Sequence, residues 1–514
     1  MNLTLPNVLL WFCGKLNSKV RLGSRGLFGL FPLAVDIASL QTHLYCVGQS
    51  GQGKSKLLQS LLYQLAVNDR GCGVLDPHSD LASDLLAQLA SSPRDTPWLF
   101  QPDNRQRVFY VDPARTDYLI PANILRNPHA TSYEIAENVI EAFRRVWPET
   151  LAEAPRFAQI MRNAVFVLAE RGLSLLELEP FLTDPDFRSR LLAGIHDSLV
   201  VSFFDQQYDR WGRDQLIMAS PVLNKVSAFL FKPQVRCMLG ARENRLDFRK
   251  IIDSGQVLIV DLGGFNDEET QRLLGSLLVT NLEQAAFSRR DLPPQKRRPF
   301  FCMIDEFPLF CSRDQTSLAR ILSECRKYRL HLGLAHQTIS QLPGERLQGA
   351  LENAKLKIIF GTGRQTAQAI VGDLFMPDPS LVKHVVDDET AQERSHPLFE
   401  TLYNQFEGFT QRIQRLRRRQ VLVKLPDQDR VLKLRTPTVP EAHVSRQQLE
   451  RIKRDLARQA GKPRHELERE ISQRFVPTAS RTRTAPADPA QREKFWHEEG
   501  APLQPDRTRS EVLI

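Results

Sequence analysis

Short, wholly apolar runs alternate with longer amphipathic stretches over the first part of the chain. Leu44-Tyr45-Cys46-Val47 reads as a buried strand, and Leu57, Leu58, Leu61, Leu62 and Leu65 follow at the spacing of an amphipathic helix. A second strand is predicted at residues 73–76, running into the polar turn Pro77-His78-Ser79-Asp80, and a third at 108–112. Strand, helix, strand, helix is the rhythm of a parallel sheet covered on both faces. From 132 to 231 the pattern is helical throughout. There Phe157, Ile160, Met161, Ala164 and Leu168 mark one apolar face, while Leu175, Leu176, Leu178 and Phe181 begin another. Strand runs return at 257–262, 300–306, 330–335 and 357–360, with a helix through Leu273 to Leu282. The runs 421–425 and 431–434 flank Pro426-Asp427-Gln428-Asp429 and predict a terminal hairpin.

The expected organisation is an N-terminal segment (1–39), a motor domain in two parts (40–131 and 232–445) split by an inserted all-α subdomain (132–231), and C-terminal helices (446–475). Beyond Val476 the chain is rich in Pro, Arg, Thr and Ala with little periodicity, which predicts a disordered tail (476–514). No internal repeat is present. The fold class expected is α/β, a P-loop NTPase sheet covered by helices.

Composition narrows the class. Among 514 residues, 42% hydrophobic and 25% charged is the balance of a soluble globular protein. Lys plus Arg is 69 against 60 for Asp plus Glu, a net charge of +9 that mildly favours a polyanionic partner. The seven cysteines are odd in number and form no C-x-x-C pair, which argues against a disulfide framework or a zinc site. Two apolar stretches fail as membrane spans: 7–12 is too short, and 27–40 is short and carries Pro32 and Asp36. The first basic residue, Lys15, follows the apolar run instead of preceding it, unlike a secretory signal, so a cytoplasmic protein without its own transmembrane segment is expected.

Gly48-Gln49-Ser50-Gly51-Gln52-Gly53-Lys54-Ser55 fits G-x-x-x-x-G-K-[ST] between a predicted strand and a predicted helix, as a phosphate-binding loop requires. Glycines let backbone amides turn towards phosphate oxygens, and the helix N-terminus adds partial positive charge. ATP is the expected ligand, with Lys54 on the β and γ phosphates and the Ser55 hydroxyl on Mg2+. The apolar run 300–304 then delivers Asp305 and Glu306 to a strand end. Such a pair also suits a helix cap. Combined with the loop, it reads as a water-mediated Mg2+ ligand (Asp305) and the group that polarises attacking water (Glu306). Gln337, just past the run 330–335, is placed to sense the γ phosphate, or is a surface amide. Arg326 either reaches a neighbouring subunit's phosphate as a trans-acting finger or is solvated. The cluster Arg412, Arg415, Arg417, Arg418 and Arg419 contacts nucleic-acid phosphates or forms a solvated face.

These motifs resemble the TraG/TraD coupling ATPases of conjugation and type IV secretion, within the wider FtsK/HerA class of hexameric DNA pumps. The resemblance lies in "THLYCVGQSGQGKS", in "GVLDPHSDL" with Ser79 where the family usually has Gly, and in "FFCMIDEFPLF" followed by "ARILSECRKYRLHLGLAHQTISQL". The stretch "RFAQIMRNAVFVLAERGLSLLELEPFLTDPDFRSRLL" is similar to the inserted domain of soluble relatives, and the likeness runs from about Leu40 to Ile471. It implies a RecA-like fold, a homo-hexamer and DNA as partner. It also implies catalytic roles for Lys54, Glu306, Gln337 and Arg326, with Arg364 a second finger candidate. A relaxosome, a secretion channel or a nuclease is the further partner it suggests. Membrane-embedded members carry N-terminal spanning helices. Their absence from this sequence implies a soluble member, or recruitment to the inner face of the cell membrane by a partner.

Overall fold

A computed structural model describes residues 18–25, 31–91, 96–149, 154–311, 317–342, 345–386, 396–426 and 428–475. The expected tail from 476, the apolar run 7–12, and Asp427 of the hairpin turn lie outside these residues. The chain divides into two compact units, Met1–Glu468 and Arg469–Ile514, and the sheet and site described below belong to the first.

In chain order the strands are β1 (Lys19–Arg25), β2 (Phe31–Asp36), β3 (Leu44–Val47), β4 (Gly71–Asp76), β5 (Val108–Val111), β6 (Tyr118–Leu119), β7 (Val257–Asp261) and β8 (Phe300–Ile304). They continue with β9 (Leu330–His336), β10 (Leu356–Ile359), β11 (Val382–Val386), β12 (His396–Phe399), β13 (Gln420–Lys424), β14 (Val431–Arg435) and β15 (Lys462–Pro463). One 11-stranded sheet runs in the order β2-β1-β14-β13-β10-β3-β9-β8-β4-β7-β5. From β10 to β5 every neighbour is parallel. From β10 outward to β2 every neighbour is antiparallel.

The sequence accounts for this division. Strands β3, β4, β7, β8 and β9 are buried at every position, as continuous apolar runs between two helical layers must be. In β14, Leu432 and Leu434 are buried while Lys433 and Arg435 are exposed, the alternation of a sheet wet on one face. The helix Lys54–Val67 buries Leu57, Leu58, Leu61, Leu62 and Leu65 as its spacing predicts. Its apolar face joins a core shared with Leu81, Leu85 and Leu89 of the helix Asp80–Leu89 and with Leu456 of the helix Arg446–Ala460. Between β6 and β7 the described residues contain helices and no strand, the longest being Ser132–Val146, Pro155–Glu170 and Gln215–Leu230. The first is held by a capping box of Thr131 and Glu134, and the second starts on a proline at a position where no amide hydrogen is needed.

The predicted strands appear within a residue or two of their expected limits. Strands β1 and β2 were not foreseen, because Phe31–Asp36 contains Pro32 and too few alternating positions. The proline fits because β2 is the outermost strand, where an absent amide hydrogen disrupts no ladder on the open side. Among the described residues no helix is long and apolar enough to cross a membrane. Six cysteines are buried and in no disulfide, as expected for core residues, and no group of ligating side chains suited to a metal ion such as zinc occurs among the described residues.

Candidate functional site

The loop Gly48–Ser55 leaves the C-terminal end of β3, the middle strand of the 11-stranded sheet. Gly51 (φ 75°) and Gly53 (φ 110°) are in the left-handed region that a side chain disfavours, so the loop closes around a cradle only where glycine permits it. A Cβ added at Gly51 would meet nothing within 4 Å, so the space above the loop is open. Gly48 is required for a different reason: a Cβ there would lie 2.4 Å from Phe360 Cβ, on the segment just past β10. Gln49 N donates to Gly361 O at 3.0 Å, fastening the loop to that segment. The Lys54 ammonium is buried and donates to the carbonyls of Gly48 (2.6 Å) and Gln49 (3.2 Å), folding back across its own loop.

Strand order brings the acids here. One strand, β9, separates β3 from β8, and Asp305 follows β8 directly. Its backbone N donates to Leu75 O at 3.1 Å, and the Ser55 hydroxyl donates to its Oδ2 at 3.1 Å. A hydroxyl beside a carboxylate is an oxygen donor set suited to Mg2+. Glu306 is buried and sits at φ 44°, ψ 45°, a conformation costly for a side-chain-bearing residue and concentrated at functional sites. Its Oε1 accepts from Gln337 Nε2 at 2.8 Å and its Oε2 from Gln341 Nε2 at 3.5 Å. Gln341 Oε1 in turn accepts from the backbone N of Gln337 (3.1 Å) and Thr338 (3.0 Å), which shapes the turn after β9.

His336 ties these segments together. Its Nδ1 faces Thr338 O at 2.9 Å and its Nε2 faces the Tyr45 hydroxyl at 2.7 Å. A carbonyl only accepts, so Nδ1 carries the proton and Nε2 accepts from Tyr45. The ring also stands edge-on to Phe307, next to Glu306, with centroids 5.2 Å apart. Burial, reinforced by the Lys54 charge, lowers its pKa to about 4 and keeps the imidazole neutral. Tyr45, His336 and Gln341 escaped the sequence reading. The first two lie inside apolar strand runs where a lone polar residue gives no signal, and Gln341 looks like any exposed amide.

The Asp-Pro-His turn clamps the neighbouring strands. Asp76 accepts from His78 N and Ala82 N, each at 2.9 Å, and burial pushes its carboxyl up to about 6, with the charges of Asp305 and Asp261 adding to the rise. Ser79 has φ 68°, which accounts for the glycine usual at that place, and its hydroxyl donates to Asp261 Oδ1 at 2.5 Å.

The other sequence-derived candidates are placed as follows. Arg326 lies in the turn Cys325–Tyr328 that precedes β9, at the sheet edge opposite the loop, and is exposed. The length of β9, roughly 20 Å, separates it from the nucleotide loop of its own chain. Arg364 begins the helix Arg364–Leu374 on the same edge as the loop, and is paired through both terminal nitrogens with Glu407, at 2.9 and 2.8 Å. The arginine cluster divides. Arg412 lies over the Phe409 ring and Arg415 bonds Gln411, whereas Arg419 N donates to Gln52 O at 3.0 Å and so belongs to the loop's surroundings.

A mixed sheet whose parallel part carries a glycine-rich loop after β3 and an Asp-Glu pair two strands over, after β8, defines a RecA-like P-loop NTPase fold. The family model described as "Helicase HerA, central domain" matches residues 20–282, and the chain belongs to that family. Among solved structures it is similar to the unbound bacterial conjugative coupling protein TrwBdeltaN70, with 19% identity, a TM-score of 0.54, and coverage of 82% of this chain and 90% of that one. TrwB in complex with ADP and Mg2+ is similar at 19% identity and a TM-score of 0.53, covering 83% and 91% of the two chains. TrwB with a non-hydrolysable ATP analogue matches at 17% identity and a TM-score of 0.53, covering 84% and 94%. These likenesses establish the fold. No curated protein has a significantly similar sequence.

Proposed function

We propose that the chain binds and hydrolyses ATP with Mg2+, and that as a homo-hexameric ring it uses this cycle to move DNA as a coupling protein of conjugative transfer or type IV secretion. The observation that carries the ATPase reading is the 3.1 Å bond between Ser55 and Asp305 beside the loop, two residues 250 positions apart. Bound Mg2+ would neutralise charge between the β and γ phosphates, held by the Ser55 hydroxyl and, through water, by Asp305. Lys54 exchanges its two loop carbonyls for phosphate oxygens. Glu306 orients and polarises the attacking water, and the Gln337 amide, bonded to Glu306 in this structure, turns to the γ phosphate. Arg326, too far from its own loop, acts on the neighbouring subunit's ATP, with Arg364 the second candidate for that role.

The likeness to TrwB, a bacterial conjugative and plasmid coupling protein, supports DNA as cargo, and the mild positive charge is compatible with it. The match to the HerA central domain favours a second reading, a DNA translocase that works with a nuclease. In either case the protein acts in the cytoplasm, and in the first a partner brings it to the membrane. ATP turnover measured with and without DNA tests the common core of both readings: DNA should stimulate hydrolysis, and turnover indifferent to DNA would instead favour a protein-secretion ATPase or a recruitment scaffold. Copurification of a nuclease separates the second reading from the first.

A further inference from the structure

On the flank of the loop away from Asp305 and Glu306 lies a cavity of about 640 Å³. Strand order puts its Arg419 wall there, and Ser83, Asp84 and Ala87 of the helix Asp80–Leu89 close its far side. The acids stand on the β9 and β8 side of β3, whereas β10, β13 and β14 stand on the other. Arg419 directly precedes β13 and Thr436 directly follows β14, and Thr436 N donates to Arg419 O at 2.9 Å. Arg419 is held in the left-handed region at φ 69°, its backbone bonded to Gln52 of the loop. Such a conformation persists in a residue other than glycine only when its surroundings impose it. Its side chain is equally fixed: Nη2 donates to Thr436 O at 3.0 Å and to Thr438 Oγ1 at 2.7 Å. The methylenes pass over the loop, 3.8 Å from where a Gly53 Cβ would stand. Pro437 and Pro440 line the same cavity, and Lys56 and Gln59 line it from the first turns of the helix Lys54–Val67.

A triphosphate lying on the loop has a direction. Its γ end is set by Ser55, Asp305, Glu306 and Gln337, so the α phosphate and whatever it carries leave over Gly53 and Lys56, into this cavity. Next to the loop the polar groups are engaged: Gln59 Nε2 bonds Asp84 O (3.1 Å) and Gln88 Oε1 (2.9 Å), and Lys56 pairs with Asp84 at 2.5 Å. Beside Arg418, Glu441 and Arg446, the wall offers the planar Arg419 cation, held in place, and the rings of Pro437 and Pro440, surfaces suited to stacking on an aromatic base. We propose that this cavity receives the nucleoside of the bound nucleotide, and that the Arg419 guanidinium is the platform on which its base stacks. The proposal rests on the ATP-binding reading given above.

Calorimetric titration of the full chain with Mg·ATP and, separately, with Mg·tripolyphosphate tests it. Two variants serve: Arg419→Gly, whose backbone suits φ 69° and so keeps the fold, and Arg419→Lys, which keeps the charge but lacks the planar face. The unaltered protein should bind ATP more tightly than tripolyphosphate. Both variants should lose about tenfold in ATP affinity, about 1.4 kcal/mol, and stay within about twofold for tripolyphosphate. Equal weakening of the two ligands in Arg419→Gly, ATP affinity unchanged in that variant, or full ATP affinity in Arg419→Lys would each overturn the stacking role. An unaltered protein that binds tripolyphosphate no less tightly than ATP would overturn the nucleoside site while leaving the phosphate loop intact. One that binds neither would overturn the loop's assignment and this proposal together.

Discussion

Glu306 acts on water and Lys54 on the nucleotide, and the two roles separate experimentally. Glu306→Gln retains the length of the side chain and should bind ATP while turning it over at least about tenfold more slowly, about 1.4 kcal/mol of barrier. Lys54→Ala should lose binding as well as turnover, since the ammonium buried at Gly48 O and Gln49 O is the phosphate ligand in waiting. Equilibrium binding beside steady-state hydrolysis distinguishes the two, and near-normal turnover in the glutamine variant would remove Glu306 from its role. Tyr45 is a positioning residue at the same scale. Tyr45→Phe leaves the buried Nε2 of His336 without its donor and should cost roughly 1–3 kcal/mol in denaturant unfolding. At this scale the sequence was informative where a motif constrains several neighbours at once, as in Gly48–Ser55. It was silent on His336, whose meaning comes from Tyr45, 291 positions away.

At the scale of elements, close approach decides. Gly48→Ala would drive a Cβ into Phe360 and spread the junction of β3 and β10, a loss of about 1–3 kcal/mol of stability together with weaker ATP binding. Unchanged unfolding in that variant would show that the junction yields freely. The start of β3 offers a test by pH. His43 has φ 60°, its Nδ1 accepts from Leu332 N at 2.9 Å, and burial, with Arg326 adding, lowers its pKa to about 4. Its folded pKa lies below the unfolded value near 6.5, so the unfolded chain takes up the proton first and stability drains away as pH falls from about 6.5 to about 4. Asp76 and Asp112, raised to about 6 by burial, pull the other way over much of that window, so the contribution of His43 is best isolated by substitution. Asn tolerates a left-handed backbone and supplies an acceptor in place of Nδ1. In His43→Asn the slope of unfolding free energy against pH should lose one proton, about 1.4 kcal/mol per pH unit, between those limits. Urea titrations at several pH values read this directly, and an unaltered slope would mean that His43 is protonated in the folded chain. The parallel strands were legible because burial on both faces leaves an unbroken apolar run. Strands β1 and β2 were not, since a half-wet edge strand with a proline carries almost no period.

For the molecule as a whole, the question is whether one chain makes a complete site. Arg326 stands at the sheet edge opposite its own loop, so a role in hydrolysis requires a neighbour. Specific activity should then rise with protein concentration. Mixing Arg326→Ala with Glu306→Gln should restore partial activity, because some interfaces join an intact Arg326 to an intact Glu306. No recovery in rings shown by mass to be mixed would exclude the trans assignment. Sequence alone reached the ATPase constellation and the family, because both reside in local strings. It did not reach the geometry around Arg419, which arises where the segments before β13 and after β14 close on a loop more than 350 positions earlier.

The order of strands also dictates a timetable. The nucleotide loop ends at Ser55, but both strands that flank β3 in the sheet, β9 and β10, belong to residues 330–359. A ribosome adding 5–20 residues per second needs roughly 15–60 s to make the stretch between them. Throughout that interval β3 and its leucine-rich helix lack the neighbours that bury them. Strand β1 waits longer still, for Arg435 of β14, the residue that pairs with Ser24. The growing chain therefore passes through a period in which its most apolar segments depend on chaperone cover. Nucleotide cannot assist its folding until synthesis has passed Ile359, the end of β10.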